Sequence, residues 1–421
     1  MPLTADIQKT SKAIVVGICL DFAIEQTEAD LIEMQALLET LGISTIASFY
    51  QKRQKLSASH LIGSGKVEEL KTLVLAKQAS VIVIDHPLSG VQQKNLEQDC
   101  GCPVMDRTAV ILEIFAKHAK SKEARTQVEI AQMEYMLPRL SGAWTHLSRQ
   151  SGGGLNARGM GEQQIEIDRR RARERITRLK KQLEQIRREK ATQAKARKSE
   201  LNVSLVGYTN SGKTSLMKML TKASLPGKDT LFATLDTNIK MIDPNTRPRL
   251  LLSDTVGFIR KLPHSLVESF KSTLDSIVDA NLLLHVVDLS HPLYESQIKI
   301  TEEVLAEIGA AGIPTLIVFN KIDKIDALLP KLVRKKYPNS IAVSALLEKD
   351  MKGLRDAIYE YFSLRLEKSL VKVARDDMAS LALIHKHCVI LNANYEEETH
   401  VEFTIKASAE ILAKLKHGNE H

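Results

Sequence analysis

A chain of 421 residues with 43% apolar and 26% charged side chains is too long for one ordinary core, and its composition is that of a globular protein rather than a disordered chain or a membrane bundle. The net charge of +8 makes it moderately basic and favours a polyanionic partner. Cys19, Cys100, Cys102 and Cys388 are too scattered for a disulfide framework, and residues 1–12 lack the apolar stretch of a secretory signal, so a cytoplasmic location is expected, and separately a monomer.

In chain order, apolar runs at residues 13–20, 43–50, 81–84 and 103–106 read as strands. Helical spacing fills the stretches 28–41, 65–79 and 89–99 between them. This alternation predicts a small parallel α/β domain over residues 1–107. Within it, LIGSGKVEEL (residues 61–70) resembles a phosphate loop but has His60 where the first glycine belongs, so a plain helix entry is the expectation.

From Thr108 the texture changes. Ile111, Ile114, Phe115, Val128, Ala131 and Tyr135 recur at three and four with no glycine or proline before Pro138, which predicts one long helix. A second is expected from Glu162, with Ile176, Leu179, Leu183 and Ile186 as a narrow seam. Between Asp168 and Lys198 this second helix carries fourteen Arg/Lys against four Asp/Glu. Such a run is commonly just a solvated face, but here it adjoins a loop, residues 141–161, with six glycines and the only tryptophan. Residues 108–198 are thus expected to form a helical hairpin. Its candidate RNA contacts are Trp144 and Arg149 and Arg158 on the loop, and Arg169, Arg170, Arg171 and Arg173 on the helix.

The sharpest chemical signal follows. Gly207, Tyr208, Thr209, Asn210, Ser211, Gly212, Lys213 and Thr214 fit G-x-x-x-x-G-K-[ST], followed by Ser215, where a short apolar strand gives way to a helix. Glycines let successive N–H groups face one anion, and the helix N-terminus adds positive potential. Lys213 is placed between β- and γ-phosphates, and the Thr214 hydroxyl on magnesium. Phe232, Ala233, Thr234, Leu235 and Asp236 form a second segment in which Thr234 offers another hydroxyl to magnesium. Asp254, Thr255, Val256 and Gly257 end a strand in D-x-x-G, where Asp254 holds a magnesium-bound water and the Gly257 N–H meets the γ-phosphate.

Asn320, Lys321, Ile322 and Asp323 then select the base. One carboxylate accepts both N1–H and N2–H of guanine, a donor pair that adenine lacks. Val343, Ser344 and Ala345 close the pocket, with the Ala345 N–H directed to guanine O6. Catalytic roles fall to Lys213, Thr234 and Gly257. Phe258 stands where Ras-like enzymes carry a glutamine that orients water, so intrinsic hydrolysis should be slow and activated by a partner. This G domain is expected over residues 199–366. A small α/β appendage follows over 367–421, with strands at 368–374, 389–393 and 400–406 and helices at 376–386 and 407–417.

With these residues named, the chain resembles the HflX-type GTPases, a ribosome-associated family of P-loop proteins. The glycine-rich hairpin ahead of the G domain, the GSGK segment and the FATLD segment carry that resemblance. It implies a multidomain α/β fold with a Ras-like G domain, and binding to the large ribosomal subunit with the hairpin tip toward the peptidyl-transferase region. It also implies Mg²⁺ as cofactor and a role in splitting or rescuing stalled ribosomes under stress. Asn210 matches the P-loop asparagine of GTPases of the potassium-activated kind, which leaves two readings: a site for K⁺ in place of an arginine finger, or a residue that only braces the loop. Met160 departs from the proline common at that position. Two rival readings are a GTP-controlled RNA-modification or remodelling factor, and a nonenzymatic switch for a protein partner with peripheral membrane association.

Overall fold

The computed structural model describes residues 11–20, 23–140, 155–195, 200–222, 231–232, 234–244, 246–247, 249–261, 271–395 and 399–418. These divide into two compact units. The first reaches Ile186 and takes in Leu231 and Phe232, and the second comprises the rest from Arg187 on.

In the first unit, strands β1 (Lys12–Cys19), β2 (Ser44–Lys52), β3 (Val81–Ile84) and β4 (Val104–Asp106) pair in the order β2-β1-β3-β4, all parallel, as the alternation predicts. The helix Ile24–Leu41 ends at Gly42 with φ 84°, a left-handed cap that glycine adopts without strain. Beside the ends of β3 and β4, Arg107 is 1% exposed and donates to Asp85 at 2.7 Å and to Glu33. Burial opposes its charge, yet the two carboxylates hold its pKa above the ordinary arginine value. Tyr135 and Arg139 both donate to Asp106, tying the C-terminal end of the helix Lys122–Met136 and the residues just after it to β4.

The hairpin departs from expectation in two places. Residues 107–136 form two helices, Arg107–His118 and Lys122–Met136, rather than one. The break is a capping event: Ser121 takes extended φ and ψ, and its hydroxyl accepts the Ala124 N–H at 3.1 Å, which starts a new helix without any glycine or proline. The basic helix also begins before Glu162 and runs Leu155–Lys195, so residues 155–161 are helical rather than loop. Ile176, Leu179 and Leu183 pack on Ile130, and Arg175–Glu129 (2.7 Å) and Lys180–Glu134 (2.8 Å) bridge the two helices. Fully burying such side chains contributes roughly 1.5–3 kcal/mol each, against about 0–1 for an exposed ion pair, so the apolar seam holds the hairpin.

The second unit contains a sheet of β5 (Leu201–Val206), β6 (Asn238–Met241), β7 (Leu250–Asp254), β8 (Leu282–Asp288), β9 (Thr315–Asn320) and β10 (Ser340–Ala342) in the order β10-β9-β8-β5-β7-β6, parallel apart from β6. Helices Lys213–Thr221 and Glu348–Ser363 cover one face through Leu216, Leu220, Leu354 and Ile358. The strand interiors read as near-continuous apolar runs because both faces are buried. A second, antiparallel sheet of β11 (Glu367–Ala374), β12 (Val389–Asn394) and β13 (His400–Ala407) has the order β11-β13-β12 and buries Val373, Phe403 and Ile405 beneath two helices, matching the expected appendage.

Candidate nucleotide site

The site lies past the carboxyl ends of β5, β7 and β9, where open α/β sheets place ligands. After Val206 the chain leaves the sheet through Gly207 (φ 143°) and Gly212 (φ 94°). Both glycines are demanded by crowding as well as by φ: a Cβ at Gly207 would lie 2.2 Å from the Val286 carbonyl oxygen, and one at Gly212 would lie 2.2 Å from Asn320 Nδ2. The helix then starts at Lys213 itself, whose ammonium turns back to donate to the carbonyls of Gly207 (3.0 Å) and Tyr208 (2.7 Å). Burial pushes Lys213 down to about 8, with Asp254 opposing that shift. Among the described residues the buried Thr209 and Ser211 hydroxyls have no hydrogen-bond partner. Such groups are costly unless a ligand satisfies them.

Three residues named as magnesium-related come together. Thr214 Oγ1 and Thr234 Oγ1 lie 2.9 Å apart, and each donates to Asp254 Oδ2 at 2.8 Å. The other carboxylate oxygen, Asp254 Oδ1, is buried and has no hydrogen-bond partner among the described residues. Burial raises the Asp254 pKa above the usual carboxylate range, and Lys213 and the two hydroxyls oppose the rise. Two hydroxyls and a carboxylate with a spare buried oxygen form a hard-oxygen set that fits magnesium. Beneath them the Thr255 hydroxyl donates to the Leu205 carbonyl at 2.7 Å, and Val256 and Leu235 are buried. Gly257 admits no side chain, since a Cβ would lie 2.8 Å from Thr209 Cα and 2.9 Å from Lys213 Nζ.

The base-selecting residues are assembled from two strand ends. Asn320 Nδ2 donates to the Ser211 carbonyl (2.9 Å), its Oδ1 accepts the Ala345 N–H (3.1 Å), and Lys321 Nζ donates to the Asn210 carbonyl (2.7 Å). Asp323 is exposed, with one oxygen held by the Ser344 hydroxyl at 2.5 Å, while Ile322 and Val343 join backbones behind it. Asp288 and Asp350 were not foreseen. Asp288 pairs with Lys321 at 2.7 Å, and Asp350 accepts the Ser344 N–H at 2.8 Å. A carboxylate closing a buried strand, LLLHVVD, was the available signal for the first; nothing local marked the second. Ser215 follows Thr214 on the helix and Asp236 lies between Leu235 and β6.

Other expected residues sit elsewhere or outside view. The Phe232 ring is packed edge-on against Phe115, centroids 4.8 Å apart, within the first unit. Ala233, Trp144 and Arg149 lie outside the described residues, and Arg158 falls where the helix backbone alone is described. On the basic helix Arg170, Arg171 and Arg173 are exposed and Arg169 is half-buried. Among the described residues no cluster of histidine, cysteine or acidic side chains forms a metal site of its own, and no helix is long and apolar enough to cross a membrane.

Comparison with known proteins places this geometry. Residues 28–116 match the family model described as GTP-binding GTPase N-terminal, residues 118–197 that of GTP-binding GTPase Middle Region, and residues 202–321 that of 50S ribosome-binding GTPase. GTPase HflX of Gluconacetobacter diazotrophicus is 38% identical over 92% of this chain and 93% of its own length. GTPase HflX of Escherichia coli is 40% identical over 81% of each. A crystal structure of a GTP-binding protein from the archaeon Sulfolobus solfataricus in complex with GDP is 28% identical, covering 83% of this chain and 98% of that one, with a TM-score of 0.45.

Proposed function

The chain belongs to the HflX family of GTPases, a family of GTP-hydrolysing proteins, and from that premise we propose that it binds the large ribosomal subunit in its GTP state and separates or rescues stalled ribosomes. The observation that carries the proposal is Phe258. Its ring, 2% exposed, occupies the position after D-x-x-G, where a water-orienting side chain would stand. An apolar ring neither donates to water nor accepts from it, so hydrolysis waits on an outside group, and a partner can restore rates by about 10³ to 10⁵. The exposed Arg170, Arg171 and Arg173 supply a surface for ribosomal phosphates. In this reading residues 1–107, 108–198, 199–366 and 367–421 act as four parts, and the hairpin is the RNA-facing one.

Within the pocket, Lys213 neutralises phosphate charge, Gly257 reports the γ-phosphate, and Asn320, Asp323 and Ala345 select guanine. Thr214, Thr234 and, through a water, Asp254 would hold magnesium, which would offset phosphate charge when bound. Asn210, exposed at φ 59°, is the candidate for a potassium ion. Equal turnover in potassium and sodium buffers removes that last assignment.

The test of the main proposal is co-sedimentation with small, large and joined ribosomal particles in the presence of a nonhydrolysable GTP analogue. Retention on the large subunit that depends on the analogue is the expected result. Binding to free small RNAs only, or to no RNA, contradicts it and favours an RNA-remodelling factor or a protein-directed switch.

A further inference from the structure

Tyr208 is the bulkiest residue of the phosphate loop, yet nucleotide chemistry at its position uses only the backbone. Its side chain is 6% exposed. Its carbonyl accepts the Lys213 ammonium at 2.7 Å, while its phenol oxygen accepts the backbone N–H of Arg260 at 2.8 Å. One residue therefore touches both the phosphate-binding lysine and the segment that follows Gly257. That segment is tied to the loop twice more. Phe258 N–H donates to the Gly207 carbonyl at 3.1 Å, and Thr209 N–H donates to the Phe258 carbonyl at 2.8 Å, a short parallel bridge beyond the pairing of β5 with β7. Arg260 also donates through its guanidinium to Ser296.

We propose that Tyr208 is a positioning residue for GTP hydrolysis: its hydroxyl pins the backbone at Arg260 and, through the Phe258 bridge, holds the Gly257 N–H in register with Lys213. The physical reason lies in what the site lacks. With an apolar ring at 258, the groups that organise the γ-phosphate on this side are backbone groups, and Gly257 has no side chain to lock its own conformation. Backbone placement here is as good as its tethers, and the outermost is the phenol. A diphosphate does not need that tether, because the loop N–H groups and Lys213 hold it from the other side. The defect should therefore fall on the chemical step and spare binding.

Tyr208→Phe in the full chain removes the hydroxyl and keeps the ring. A neutral hydrogen bond of this kind shifts an equilibrium by roughly fivefold. Single-turnover GTP hydrolysis without ribosomes should fall by about that factor, while the Kd for GDP and the KM for GTP stay within about twofold and amide hydrogen exchange at Arg260 speeds up. An unchanged rate overturns the proposal, and so does unchanged exchange at Arg260. A GDP affinity that falls in step with the rate also overturns it, because the hydroxyl would then support the pocket as a whole. Since no ribosome is present, failure here is distinct from failure of large-subunit binding.

Discussion

Two stretches of this chain carry a glycine-lysine string at the mouth of a helix, and only one of them makes a phosphate cradle. At residues 207–214 six residues intervene between strand and helix, Gly212 turns left-handed, and Lys213 opens the helix with its ammonium folded back over the loop. At residues 61–66 the helix has already begun at Ser64, so Gly65 is an ordinary helical residue and Lys66 sits on the helix side. There the first N–H is committed as well: Gly63 donates to Gln51 Oε1 at 3.0 Å, and Lys66 pairs with Glu69 at 2.6 Å over the Phe49 ring. What separates them is the loop length ahead of the lysine, which decides whether donors are left for an anion or satisfied within the protein.

The largest way to sharpen this contrast is Lys213→Ala. Removing the buried cation should abolish GTP hydrolysis and weaken GTP binding by at least about 10²-fold, read by calorimetric titration. Next comes Asp323→Asn, which replaces the acceptor of two guanine donors by a group that can also donate. Preference should move from GTP toward the xanthosine nucleotide by roughly 10³-fold or more in competition binding, and unchanged discrimination would refute the base assignment.

A smaller effect is set by proton linkage. Burial lowers Lys213 to about 8, and a bound phosphate favours its charged form, so the bound pKa is higher than the free one. Below about pH 8 both states are protonated and GDP affinity is flat; above it binding must take up a proton, and affinity falls by up to about tenfold per pH unit. Titrations in buffers of differing ionisation enthalpy should show that uptake only on the alkaline side. The smallest effect belongs to the other string: Lys66→Ala, on an exposed i, i+3 pair, should change GDP affinity by less than about twofold.

The same contrast shows how much was legible in advance. The missing first glycine at His60 already made a plain helix entry the expectation at the second string, and the order of the five nucleotide-site segments was enough to name most of the residues that the structure brings together at the ends of β5, β7 and β9, Phe232 excepted. Apolar runs likewise placed the strands of the first sheet and the buried strands of the second, while β6, an exposed antiparallel edge strand, was not read in advance. What escaped notice depended on partners distant in sequence or on a single cap. The break at Ser121 rests on one hydroxyl inside an uninterrupted helical pattern, and the pairings of Asp288 with Lys321 and of Asp350 with Ser344 join residues whose proximity only the folded sheet creates. Tyr208 was visible only as a variable position in the loop, because the partner of its hydroxyl is a backbone N–H that carries no sequence mark.

The most direct test of the central claim is single-turnover GTP hydrolysis by the full chain, measured alone and with increasing purified large ribosomal subunits. Slow hydrolysis alone, rising on the order of 10³-fold as subunits saturate, is the predicted result. A rate already fast without subunits, or one that they leave unmoved, would contradict it.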